Sequence, residues 1–136
     1  MTKMPKEVME LINDPASHKI LATRAADGGV HAIEVGSIMA PDANTIMFGA
    51  ILMKHSGKNL EAMKAEGTLA SILVANQLRS FQVRGKVKDF VTSGPIFDKM
   101  NEELGKHKMA AQGVWLLEPV EVWDQSANPK AGTRLA

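Results

Sequence analysis

The stretch Lys54-His55-Ser56-Gly57-Lys58-Asn59 places three basic side chains, a hydroxyl and a glycine within six consecutive residues. That set is suited to holding an anion. Leu60 and Met63 follow three apart among good helix formers, and Gly67 supplies a stop, so the segment reads as the beginning of a helix with Ser56 as its N-cap. The first turn of a helix carries unpaired backbone N–H groups and the positive end of the dipole. Lysines there oppose the dipole unless an anion sits between, and a phosphate fits such a set. Taken alone, the residues leave a plainer reading equally open, in which Ser56 caps the helix and the lysines are solvated. The spacing is not that of a nucleotide P-loop, which needs two glycines four residues apart before Gly-Lys-Ser/Thr.

Other chemistry is scarce. The chain has no Cys and no Tyr, which excludes disulfides, thiolate zinc sites, thiol nucleophiles and phenol acid/base catalysis. The four histidines, His18, His31, His55 and His107, include no pair at the i, i+4 spacing of a helical metal site, so no metal centre is expected. Ser37 and Ser56 lack the G-x-S-x-G setting of a nucleophile elbow. No catalytic side chain is assigned, and a reactive group is expected to be borrowed from a cofactor.

These residues must be positioned by a predominantly β chain. Residues 5–13 bring Val8, Met9, Leu11 and Ile12 to one side of a short amphipathic helix. Two β-prone runs, 20–23 and 30–35, flank Asp27-Gly28-Gly29 and read as a hairpin, with a further strand at 45–48 continuing the meander. The basic helix comes next, then an apolar strand at 68–75 and a long alternating strand at 80–90 that Gly85 interrupts. A third helix runs from Ser93-Gly94-Pro95 to about His107. A last strand spans 113–123, with Pro119 marking it as an edge or bent strand. Six antiparallel strands in so short a chain predict a small closed or partly split barrel, because closure removes exposed edges.

The bounds agree. One domain over residues 1–125 fits the length of 136, and residues 126–136 are expected to form a flexible tail. Sixteen Lys+Arg against fifteen Asp+Glu give a net charge of +1, too little excess for a nucleic-acid partner, and no aromatics interleave with Arg84, Lys86 and Lys88 as a stacking surface would require. No apolar run approaches the roughly 20 residues of a membrane span, and the opening residues lack a signal-peptide pattern, so a cytoplasmic protein without membrane contact is expected.

The ordered segments KILATRAADGGVHAIEVGSI, TIMFGAILMKHSGKNLEAM, TLASILVA and RSFQVRGKVKDF resemble the FMN-binding split-barrel family related to pyridoxamine 5′-phosphate oxidase, over residues 18–123. The resemblance implies a mainly β fold, a six-stranded antiparallel split barrel with about three short helices, and FMN as cofactor. It implies phosphate binding at Lys54, His55, Ser56 and Lys58, with Asn59 orienting the loop. His55 stands where the family more often has Lys. Val35, Gly36 and Ser37 match the strand along the flavin ring, Met53 its neighbouring wall, and Gln82, with Arg79 and Arg84, a later strand that reaches the cofactor. At most one aromatic, with Trp115 the candidate, would touch the ring. Members are typically homodimers with flavin at the interface, which would give the apolar stripe around Trp115 a partner. Activity as an oxidoreductase or as an electron carrier is implied. Alternatives are a deazaflavin- or haem-binding barrel and a non-catalytic flavin-binding module. A true pyridoxamine phosphate oxidase fits less well, because the tail offers only Lys130 and Arg134 toward that enzyme's C-terminal substrate residues.

Overall fold

A computed structural model describes residues 2–136. The chain begins with α1 (Lys6–Asn13), which buries Val8, Leu11 and Ile12. Its last residue, Asn13, is fastened to the sheet twice: Nδ2 donates to Ala40 O at 2.9 Å, and Oδ1 accepts from the Ala40 N–H at 2.8 Å.

The first hairpin pairs β1 (His18–Arg24) with β2 (Val30–Glu34). Its turn is built as the Asp-Gly-Gly sequence predicts: the Asp27 carboxylate accepts from the Gly29 N–H at 2.8 Å, and Gly28 takes a φ of +90°, which favours glycine. After it come β3 (Met39–Asp42), β4 (Thr45–Gly49), α2 (Lys54–Glu66), β5 (Leu69–Asn76), β6 (Arg79–Val91), α3 (Pro95–Gly105), β7 (Val114–Asp124) and β8 (Thr133–Arg134).

The hydrogen-bonded order is β2-β1-β5-β6-β7-β4-β3, antiparallel throughout, with β8 added on β7. This is an eight-stranded split barrel rather than a six-stranded one. The two additional strands are short: β3 contains Pro41, and β8 has two residues. The second and third expected strands do not continue a meander. β2 and β3 lie at opposite ends of the sheet, and residues 35–38 carry the chain from one end to the other. The split lies there, bridged where the Val35 N–H donates to Lys19 O and Lys19 Nζ donates to Ile38 O, both at 2.8 Å.

The β7 strand is interior over residues 114–117, paired with β6 on one side and β4 on the other; at Pro119 it is paired with β6 alone and has a register shift, the local edge and bend that its proline predicts. Pro119 is accommodated because Gly85 lies opposite it, at a register shift that leaves Val120 without a cross-strand partner. The Thr2 hydroxyl donates to the Val120 carbonyl at 2.9 Å. A Cβ on Gly85 would come within 3.2 Å of Glu118 O, a second reason for glycine in mid-strand.

Residues 126–136, expected to be a flexible tail, fold back along β7. β8 pairs with Trp123 and Asp124, Ser126 is buried, and Leu135 and Ala136 pack against the core. The barrel interior is filled by one large cluster that includes Leu21, Ile46, Phe48, Leu60, Ile72 and Val83. A smaller cluster, Met47, Met100, Leu104, Ala111 and Val114, lies between α3 and the sheet. No helix among the described residues is long and apolar enough to cross a membrane.

Candidate functional site

The basic helix starts three residues earlier than its sequence indicates. Met53 occupies the cap position without a side-chain cap bond, so Ser56 is the third helical residue rather than the N-cap. That changes the meaning of its hydroxyl. Ser56 is 1% exposed, and Oγ has no hydrogen-bond partner. A buried hydroxyl left unpaired costs about 1–3 kcal/mol, and Ser56 Oγ shares this state with Ser17 Oγ elsewhere in the chain. Lys54, His55 and Lys58 are exposed on the same two turns of α2, with Lys54 and Lys58, two residues to either side of Ser56, on the opposite face of the helix.

The neighbouring β-hairpin holds this turn in place. Asn59 is buried, and its Nδ2 donates to Thr23 Oγ1 at 3.0 Å. His31, opposite Thr23 in the β1–β2 register, brings its ring to 5.8 Å from that of His55 at an interplanar angle of 55°. His31 was not among the sequence candidates. Its place follows from the hairpin register, which is centred on Asp27 and sets Thr23 opposite His31.

Beside the helix start, a cleft of about 420 Å³ opens in the split of the barrel. One wall is the crossing segment with Val35, Gly36 and Ser37, and the facing wall is Gly49, Ile51 and Met53. Ser37 Oγ accepts from the Gly49 N–H at 3.0 Å, which ties the two walls together. Leu104, His107 and Met109, from the end of α3 and beyond, close the cleft and were not foreseen; nothing in local spacing relates them to residues some 70 positions earlier. The volume falls within the range of about 300–1,000 Å³ common for small-molecule sites.

A second cleft of about 410 Å³ shares Met53 and is bordered by Leu52, Lys54, Gly57 and Trp115. Trp115 is buried within its own chain and packs on Phe90 with ring centroids 4.6 Å apart. The apolar stripe around it is therefore covered intramolecularly. Leu52, at the edge of this cleft, is 93% exposed and holds a φ of +53°, an unfavourable conformation for a branched side chain.

The structure thus gathers Val35, Gly36, Ser37 and Met53 in one cleft, with Lys54, His55, Ser56, Lys58 and Asn59 on the adjoining helix and Trp115 in the cleft beyond Met53. Gln82 is not among them. It points away from the barrel interior and lies in a third depression, where Nε2 donates to Ser71 Oγ at 2.9 Å and Oε1 accepts from Gln125 Nε2 at 3.2 Å. Arg84 is engaged with Glu121 across the sheet at 3.3 Å. The alternation of β6 allows only one of its faces to reach the interior, and Gln82 and Arg84 lie on the other.

No protein-family model matches the sequence, and no curated protein matches it. Solved structures do. HupZ from Group A Streptococcus superposes with a TM-score of 0.79 at 16% identity, covering 95% of this chain and 99% of that one. An FMN-binding protein from Syntrophomonas wolfei superposes at 0.75 and 13% identity, covering 90% and 89%. A structure described as a putative pyridoxamine 5′-phosphate oxidase from Lactobacillus delbrueckii gives 0.68 at 18%, covering 90% and 95%. The same architecture occurs in an F420 reductase at 0.68 and in HutZ, a haem storage protein from Vibrio cholerae, at 0.63. The chain has the split-barrel fold of the pyridoxamine 5′-phosphate oxidase-like proteins. At these identities the likeness fixes the fold, and what each neighbour binds is a property of that neighbour.

Proposed function

We propose that this chain is an FMN-binding redox protein, a flavin-dependent oxidoreductase or an electron carrier. The observation that carries the reading is the buried, unpartnered Ser56 hydroxyl in the first turn of α2, a turn that also carries Lys54 and His55 and is followed by Lys58. A phosphate there would accept from Ser56 Oγ and from the N–H groups of the first turn, and the basic side chains would neutralise its charge. Asn59, anchored to Thr23, keeps the turn in register with the first hairpin.

Bound flavin supplies hydride or electron transfer; the protein supplies position and electrostatics. The ring would occupy the 420 Å³ cleft, with the backbone of residues 35–37 along one side and Met53 on the other. N–H groups at Gly36 and Ser37 would stabilise negative charge developing on a reduced ring. Met53 would mark the passage from ring to phosphate, since it borders the cleft and caps α2.

The chain also carries a surface suited to a second copy of itself. Ile20, Ala22 and Leu73 form an apolar patch on the outward face of β1 and β5, around a depression of about 530 Å³. Pairing through that face gives a homodimer in which a cofactor near the interface would be enclosed by both copies. A deazaflavin or haem remains the second reading, on the strength of the neighbours named for them.

Titrating the purified protein with FMN, followed by quenching of flavin fluorescence, tests the proposal. Saturable binding by the wild type is expected, with a loss of at least about 100-fold in the Ser56→Ala/Lys58→Ala double variant, the effect of two charge-assisted contacts. Absence of binding by the wild type, or equal affinity in the double variant, would overturn it. A sharp Soret band in freshly isolated protein would favour haem instead.

A further inference from the structure

Lys19 is an unusual residue to find inside a barrel wall. It is 7% exposed, and among the described residues its Nζ has one protein acceptor, Ile38 O at 2.8 Å. An ammonium has three N–H donors, and a buried charge is normally compensated by an anion. Asp14 is the carboxylate that acts on Lys19, but through space rather than as an ion pair; its oxygens accept from the Ala16 N–H at 2.9 Å and from Asn76 Nδ2 at 3.3 Å. Burial accordingly lowers the pKa of Lys19 from its ordinary value.

Lys19 and Ile38 both border a cleft of about 330 Å³ that lies against the other side of residues 36–37. It shares Gly36, Ser37, Leu104 and His107 with the larger cleft. The groups facing it are Lys99, Glu103, His107 and Asn13. Glu103 is paired with Lys106 at 3.2 Å, and the Asn13 amide is committed to Ala40, so the available charge is cationic. The remaining walls are apolar, Met39, Met100 and Leu104 among them.

The geometry points to a binding site for a small organic carboxylate, its anionic end on Lys19 Nζ and its apolar body against Met100 and Leu104. A single buried ammonium suits a monoanion with a hydrophobic body better than a phosphate dianion, which would need more donors. Because the cleft runs into the one assigned to the flavin ring, such an acid would lie beside that ring. That placement rests on the flavin reading; the binding site itself does not.

The test uses ¹⁵N-labelled protein without FMN, titrated with acetate, succinate and benzoate, with benzamide as a neutral isostere and inorganic phosphate as an alternative anion. Saturable amide shifts at Lys19 and residues 36–39 are expected with benzoate and not with benzamide. Lys19→Met, which keeps the stem and drops the charge, should weaken benzoate by at least about tenfold, one charge-assisted contact. Lys99→Gln, at an exposed position, should weaken it by about two- to threefold, and it decides the matter together with benzamide if Lys19→Met does not fold. No carboxylate binding to the wild type, tighter binding of phosphate, equal binding of benzamide, or full retention in Lys19→Met or in Lys99→Gln overturns the site. Repeating the titration with FMN present separates the two readings: benzoate bound by a protein that does not take FMN leaves the site standing and removes the placement beside the flavin.

Discussion

Ser56 and Lys19 are both polar groups that the barrel buries at a cost, and each makes a prediction about the protein without ligand. Removing the Ser56 hydroxyl relieves an unpaired polar atom and places a better helix former in α2, so Ser56→Ala should leave stability unchanged or raise it by about 1 kcal/mol in chemical denaturation. FMN affinity should fall in the same variant. A merely structural hydroxyl would give the reverse pattern. For Lys19 the sign follows from burial. Its pKa is lowered in the folded chain, so between that value and the ordinary lysine value of 10.5 the unfolded chain holds more protons and stability rises with pH. Denaturation midpoints measured from pH 7 to pH 10 should climb more in the wild type than in Lys19→Met; identical slopes would contradict the burial of a charged ammonium.

Among the elements, the β6–β7 pair shows how glycine spacing shapes the walls. A Cβ on Gly113 would lie 2.3 Å from the Phe90 ring, so Gly113→Ala must push that ring off Trp115. The loss of one aromatic pair costs about 0.5–1.5 kcal/mol and should appear as a change in tryptophan emission together with a lower denaturation midpoint. Unchanged emission would show that Phe90 does not rest on Trp115. This is also the scale at which the sequence was most legible. The three helices, the Asp-Gly-Gly hairpin and the long alternating strand all follow from local periodicity and turn chemistry. β3 was missed because Pro41 interrupts a four-residue strand, and β8 because a two-residue pairing has no periodicity to detect. Pro119 suggested an edge or a bend, and it stands at a register shift opposite Gly85, past Leu117 where the pairing with β4 ends; that Gly85 is its neighbour is a pairing between distant residues that no local window contains. The anion-binding turn was legible as a basic cluster, but its decisive feature, a hydroxyl buried without a partner, depends on how α2 packs against the first hairpin. A strand's alternation does not say which of its faces turns inward, and Gln82 lies on the outward one, apart from the cleft.

At the scale of the whole molecule, the split between the sheet ends β2 and β3 provides the cleft, and Met53, the cap of α2, joins the start of that helix to its edge. The outward face of β1 and β5 is the surface proposed for a second copy. Leu73→Asp should shift the protein from dimer to monomer in sedimentation velocity, and a wild type that sediments as a monomer at high concentration would remove the dimer from the account. The central claim is that a phosphate anchors the cofactor at the start of α2. Comparing FMN with riboflavin by fluorescence titration tests it most directly, since the two share a ring and differ in the phosphate. Affinity for FMN at least about 100-fold above that for riboflavin is predicted, with most of this preference lost in Ser56→Ala/Lys58→Ala. Equal affinity for the two, or a preference that survives the double variant, would contradict it.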